Sequence, residues 1–163
     1  MKLEIDPHSP TEPTIVMRRT LEAPRELVWE VLTDPRHVAR WYGGHGFRNP
    51  VCEMDVRPGG RWRHVMRAPD GAEMPMEFVF VEVVPPERLV WRSADAGKAG
   101  LGYRDNVMTV TLEADGSRTR WKLVTRFRSV ADRDTALGIG FTQVLGEGVE
   151  KFDAILRELR GDR

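Results

Sequence analysis

From Leu27 onward the spacing of apolar residues changes twice, and that limits the folds open to this chain. From Leu27 to Leu32 the spacing is helical, then it alternates for about eighty residues, and over the last thirty it is helical again. An alternating stretch of that length must be several strands, because a single strand rarely exceeds about ten residues. Arg61 to Arg67 places Trp62, His64 and Met66 on one face and Arg61, Arg63 and Arg67 on the other. Pro69-Asp70-Gly71 forms a turn, since Pro presets φ and Gly accepts the left-handed position. Met74 to Val84 is apolar on both faces, as in a central or strongly bent strand, and Pro85-Pro86 stops it. Glu82 falls in phase with Phe78 and Phe80, and a β-bulge that turns it outward is the expected remedy. Leu89 and Trp91 oppose Arg88 and Arg92 in a further strand, and Ala94 to Gly102 reads as a flexible loop. Asn106 to Leu112 and Thr119 to Phe127 are strands joined at the hairpin signal Asp115-Gly116. Short turns between successive strands predict an antiparallel meander rather than βαβ units.

The flanks complete an α+β order. Residues 1–13, with Pro7, Pro10 and Pro13, read as a flexible N-terminal tail, and residues 14–163 as a single domain. Thr14 to Leu21 alternates as a strand, with Ile15, Met17 and Leu21 on one face. Pro24 suits the first position of a helix, and Asp34-Pro35 opens a second short helix that runs to about Trp41. Ser129 with Asp132 resembles a capping box. From there one long helix is expected, with an apolar stripe from Leu137 through Phe141, Leu145 and Phe152 to Leu159. Gly138, Gly140, Gly146 and Gly148 interrupt it, each costing about 0.5–1 kcal/mol against Ala. Close approach of the helix to its neighbours, or a hinge at Gly138 and Gly140, would account for them.

Composition excludes some functions. The chain has 163 residues, with 25 basic and 25 acidic side chains, so it is no polybasic tail protein. Cys52, the one cysteine, cannot form an internal disulfide, and a cytoplasmic home is expected. No apolar stretch reaches the roughly 18 residues of a membrane span, and Met1 to Pro13 lacks a signal-peptide core. The four histidines show no metal spacing, and neither a metal nor any other cofactor is expected. No P-loop, nucleophile elbow or dinucleotide fingerprint is present.

Several segments are similar to one family. Ala23-Pro24-Arg25-Glu26-Leu27-Val28-Trp29 followed by Thr33-Asp34-Pro35 resembles the opening of the SRPBCC (START-like) superfamily. Phe47-Arg48-Asn49-Pro50, Cys52-Glu53-Met54-Asp55 and Pro58-Gly59-Gly60-Arg61-Trp62 resemble the branch named for the activator of heat-shock protein 90 ATPase. Val84-Pro85-Pro86-Glu87-Arg88-Leu89-Val90 continues the likeness, which spans Thr14 to Leu159. It implies the helix-grip fold, a curved antiparallel sheet wrapped around a long C-terminal helix, with a cavity between them. In this branch an aromatic pair followed by Gly-Pro often stands where this chain has Trp41-Tyr42-Gly43-Gly44. Many members place a tryptophan near Leu145. Both positions resemble ones beside the cavity.

Alternation nominates Trp62, His64, Met66, Met76, Phe78, Trp91, Met108 and Trp121 as cavity wall, the resemblance adds Trp41 and Leu145, and the apolar stripe of the final helix adds Phe141. His64 and Tyr103 are the expected polar groups that orient a ligand. The expected function is a small binding protein that holds an apolar molecule without covalent chemistry. One alternative is an enzyme of the cyclase or hydrolase kind in the same cavity, with His64 its first candidate acid or base. Another is an interaction module. Arg61, Arg63, Arg67, Arg88, Arg92, Arg118, Arg120, Lys122, Arg126 and Arg128 share the outward face, a basic surface fit for a chaperone or other protein partner. Glu53, Asp55, Glu77 and Glu113 lie near enough in sequence to pair with these arginines instead. Nucleic acid is the other acidic partner such a surface could take and the less expected one, and the oligomeric state is left open.

Overall fold

In a computed structural model that describes residues 3–7, 9–94 and 105–161, the chain builds one antiparallel sheet closed over by helices. The strands are β1 (Glu4–Asp6), β2 (Thr14–Leu21), β3 (Arg48–Met54), β4 (Arg61–Arg67), β5 (Glu73–Val84), β6 (Arg88–Ser93), β7 (Asn106–Asp115) and β8 (Arg118–Phe127). They lie in the order β1-β2-β8-β7-β6-β5-β4-β3. The sequential run from β3 to β8 is the meander that the short turns imply. The crossing from β2 to β3 carries α1 (Arg25–Thr33) and α2 (Pro35–Trp41), and α3 (Val130–Gly138) and α4 (Phe141–Leu159) follow β8. This is the helix-grip α+β architecture, with α4 as its long C-terminal helix.

Local chemistry sets the helix boundaries. Asp34 ends α1 and begins α2, its carboxylate accepting from the backbone N–H of Arg36 at 2.9 Å. Pro24 stands one place earlier than expected, as the N-cap of α1 in extended conformation. Ser129 caps α3 by accepting from the N–H of Asp132 at 3.1 Å.

Three features depart from the sequence reading or complete it. Within the segment read as a loose tail, Glu4–Asp6 adds an edge strand, pairing Ile5 with Met17. The single C-terminal helix is instead two, broken at Ile139 and Gly140. Gly140 has φ of 90°, a left-handed conformation that ends any right-handed helix and that glycine adopts without strain. Gly148 answers the other half of the glycine question. A Cβ there would lie 3.1 Å from the carbonyl oxygen of Trp41, so this glycine lets α4 approach the end of α2 closely. The expected bulge is present, since the β5–β6 register shifts between Phe80 and Glu82. Val81 is left half exposed, and the Glu82 carboxylate accepts from Arg88 Nε at 3.0 Å.

The outward face of the sheet is not left basic. Arg61 pairs with Glu77, Arg63 with Glu53, Arg67 with Glu73, Arg88 with Glu82 and Arg120 with Glu113. Arg118 pairs with Glu22, Arg126 with Glu12, and Arg128 with Asp105 and Asp132. Arg92 donates to the Ser93 carbonyl at 3.2 Å. Exposed pairs of this kind add little stability, but by pairing eight of the ten expected basic residues they offset much of the positive charge that would attract an acidic partner.

Candidate functional site

Inward positions of β4 to β8 meet α4 across the concave side of the sheet, and the space between them is only partly filled. Against β3 and the start of β4 it is solid. The Trp62 ring stacks 6.0 Å from Phe80 at an angle of 11° and packs against Phe78, Trp91 and Tyr42 at 4.8, 5.6 and 5.6 Å. Its indole N–H donates to His64 Nδ1 at 3.1 Å. That bond makes Nδ1 an acceptor, so the proton of the neutral ring is on Nε2, which donates to Asn49 Oδ1 at 2.7 Å. The Asn49 amide in turn donates to the carbonyls of Ala39 at 2.9 Å and Tyr42 at 3.0 Å. The chain of bonds ties β4 to β3 and to the end of α2. Burial pushes the pKa of His64 down to about 4, which keeps the ring neutral as the network requires.

Further along the same face a cavity of about 370 Å³ remains open. Its floor is Met66, Met74, Met76, Phe78, Trp91, Met108, Val110, Trp121 and Leu123 from the sheet. Phe141, Val144, Leu145, Val149 and Phe152 of α4 form the roof, and Leu21, Leu32, Trp41 and Tyr42 close one side. Gly43, Gly140 and Gly148 also border it, and none of them carries a side chain that could fill it. Ser93 and Asn106, at the ends of β6 and β7, and Glu77 of β5 are its polar wall residues. The volume is that of about a dozen liquid waters at roughly 30 Å³ each.

Of the twelve residues expected at the cavity, nine lie in its wall, one falls outside the described residues and two need correction. Trp41, Met66, Met76, Phe78, Trp91, Met108, Trp121, Phe141 and Leu145 lie in its wall. Tyr103 lies outside the described residues. Trp62 and His64 are not wall residues, although alternation places them on the same face as Met66. The rings of Tyr42 and Phe78 cover Trp62, and Tyr42 lies 4.3 Å from His64, ring centre to ring centre. His64 is 1% exposed with both ring nitrogens engaged, so it does not reach a molecule in the cavity. Val110 and Leu123 continue the alternation of β7 and β8, which could have named them. Tyr42 and Gly43 could not be found by periodicity, because they sit beyond the end of α2.

The loop after α2, where Gly43 borders the cavity, is tied to α4. Glu147 accepts from the backbone N–H of His45 at 2.8 Å, and that bond holds its carboxyl below the usual range. Lys151 Nζ donates to the Gly44 carbonyl at 3.1 Å, and partial burial lowers its pKa. His45 and Glu150 meet at 3.0 Å.

Other reactive groups are quiet or distant. Burial pushes the Cys52 thiol up to about 11, so it is not a thiolate near neutral pH. Among the described residues no three His, Cys, Asp or Glu side chains converge to hold a metal ion. Of the described helices, none is long and apolar enough to cross a membrane. Three buried polar side-chain atoms among the described residues have no partner, Arg19 Nε, Trp91 Nε1 and Thr125 Oγ1.

Comparison with known proteins agrees with this architecture. A protein from Nitrosomonas europaea is 26% identical, with a TM-score of 0.83 over 93% of this chain and 99% of that one. A protein from Arthrobacter aurescens is 24% identical, with a TM-score of 0.83 over 95% of this chain and 91% of that one. An AHSA1-like protein from Aeromonas hydrophila is 22% identical, with a TM-score of 0.69 over 87% of this chain and 93% of that one. The last two show the fold alone. No curated protein matches the sequence. The model of one family, described as Activator of Hsp90 ATPase homolog 1-like protein, matches residues 22–157, and the chain belongs to that family.

Proposed function

We propose that this protein binds an apolar small molecule in the cavity between the sheet and α4, as a cytosolic carrier or sensor, without covalent chemistry. The observation that carries the reading is the cavity itself, about 370 Å³ bounded almost wholly by aromatic, aliphatic and methionine side chains. A well-packed interior has few voids larger than a water molecule, so an apolar space of this size in the middle of a core is unusual. Met66, Met74, Met76 and Met108 give it a soft wall that can fit ligands of different outline. The enzyme alternative, with His64 as acid or base, draws no support from a ring whose nitrogens are both bonded inside the protein. The interaction-module alternative loses its basic surface to the ion pairs on the outer face.

Native mass spectrometry of gently purified protein tests the reading, together with a thermal-shift screen over lipids, polyketides and flavonoids. A co-purifying apolar molecule released on denaturation, or a rise in melting temperature with a panel member, supports it. An empty protein whose melting temperature no panel member moves overturns it.

A further inference from the structure

Resting on the binding reading above, we infer that three half-buried methionines of the cavity wall, Met66, Met74 and Met76, form an oxidation site whose conversion to sulfoxides expels the apolar ligand. Of the chain's seven methionines, four border this one cavity, Met66, Met74, Met76 and Met108. Met66 and Met74 are ladder partners near the turn between β4 and β5, and Met76 follows on the same face of β5. These three are half-buried, whereas Met108 is 8% exposed and Met17, in the core, 0%. Two of the sulfurs lie against other wall residues. Met76 Sδ accepts from the Tyr42 hydroxyl at 3.8 Å, and a Cβ at Gly43 would lie 2.6 Å from Met66 Sδ.

An apolar wall on a sheet does not by itself call for sulfur. The outward positions of the same two strands hold Val65 and Val79, and β-branched residues suit a strand better than methionine does. Thioethers bring one chemistry that hydrocarbon side chains lack. Hydrogen peroxide transfers one oxygen atom to the sulfur: the S–O bond forms, the O–O bond breaks, the thioether gives up two electrons and water leaves. The product is polar. An apolar ligand that covers a sulfoxide strips its hydration and offers no donor in return, so oxidation of the wall weakens binding. The chain's one cysteine does not compete for the oxidant, because burial holds the Cys52 thiol protonated and the thiolate is the reactive form. Met54 is half-buried too, but it lies outside the cavity wall, so its oxidation leaves binding alone.

Hydrogen peroxide on the intact protein tests this, with N-phenyl-1-naphthylamine as a neutral fluorescent probe of the cavity. Peptide mass spectrometry over a time course should find Met66, Met74 and Met76 oxidised before Met108 and Met17. Affinity for the probe should then fall about tenfold, with the circular dichroism spectrum unchanged. It should return when methionine sulfoxide reductases for both epimers act on the protein. A variant carrying Met66→Leu, Met74→Leu and Met76→Leu should bind within about threefold of wild type and keep that affinity after peroxide. Affinity that survives oxidation of the three residues, or that peroxide lowers equally in the variant, overturns the inference and leaves the binding reading standing. Oxidation of Met17 as fast as the three, or a loss of binding that tracks a loss of folded signal, does the same. Failure of the probe to bind untreated protein counts against the binding reading and takes the inference with it. If the triple variant does not fold, recovery under the reductases decides alone.

Discussion

Trp62 and Met66 sit four residues apart on one strand and face the same way, yet one is packed solid and the other borders an open cavity. Around Trp62 the space is taken by flat rings at 4.8 to 6.0 Å, and a neutral histidine joins three elements through hydrogen bonds. Beside Met66 lie Gly43, which has no side chain, and the flexible side chain of its ladder partner Met74, both on the cavity. One end of the concave face therefore provides stability and uniqueness, and the other provides room. Loss of a packed ring leaves its neighbours without contacts, whereas trimming a wall that already borders a void removes fewer of them.

The contrast predicts where substitutions hurt. Trp62→Ala should cost about 4 kcal/mol of unfolding free energy, read from urea denaturation, because it opens a hole under Phe80 and orphans His64 Nδ1. Met108→Ala, in the open half, should cost about 2 kcal/mol or less while changing the affinity for any ligand. Equal costs at the two positions would break the distinction.

The histidine network sharpens it further through pH. The folded pKa of His64 is about 4, below the unfolded value of about 6.5, so the unfolded chain takes up the proton first as pH falls. This contribution is whole above about pH 6.5, is lost progressively down to about pH 4, and changes no further below that. At 1.36 kcal/mol per unit the loss is about 3 kcal/mol. Unfolding free energies between pH 7 and 4 should show that slope in the wild type and a flatter one in His64→Gln. A variant slope as steep as that of the wild type would mean that other groups carry the effect.

The smallest effect concerns Thr125, whose buried hydroxyl has no partner. Thr125→Val keeps the shape and removes the orphan, and should raise stability by about 1 kcal/mol. A loss of stability in the thermal or urea transition would show that the hydroxyl is satisfied in solution.

Much of the fold was legible because it depends on short-range signals. The alternation in Arg61 to Arg67, the Asp34-Pro35 cap and the Glu82 bulge each follow from a few adjacent residues, and the structure holds all three. The two-helix end was less legible. The apolar stripe runs unbroken past position 140, and only the left-handed φ of Gly140 shows that the helix stops there. Edge strand β1 is three residues long and carries no period of its own. At the site, alternation found the face but not the cavity. It placed His64 with the wall residues because phase says which way a side chain points and nothing about what lies in front of it.

Neighbouring residues were enough to fix the order of the main elements, with β1, β3 and the α3–α4 break left out, the inward face of the strands read from their alternation, and the family, since periodicity and turn chemistry act over a handful of positions. Only the tertiary structure decided which inward residues touch one another and which border open space. That depends on volumes brought together from β4 through β8 and α4, tens of residues apart. It also decided that the Trp62 N–H has an acceptor while the Trp91 N–H does not, because a hydrogen bond needs its two atoms within about 3 Å and no spacing along the chain can arrange that.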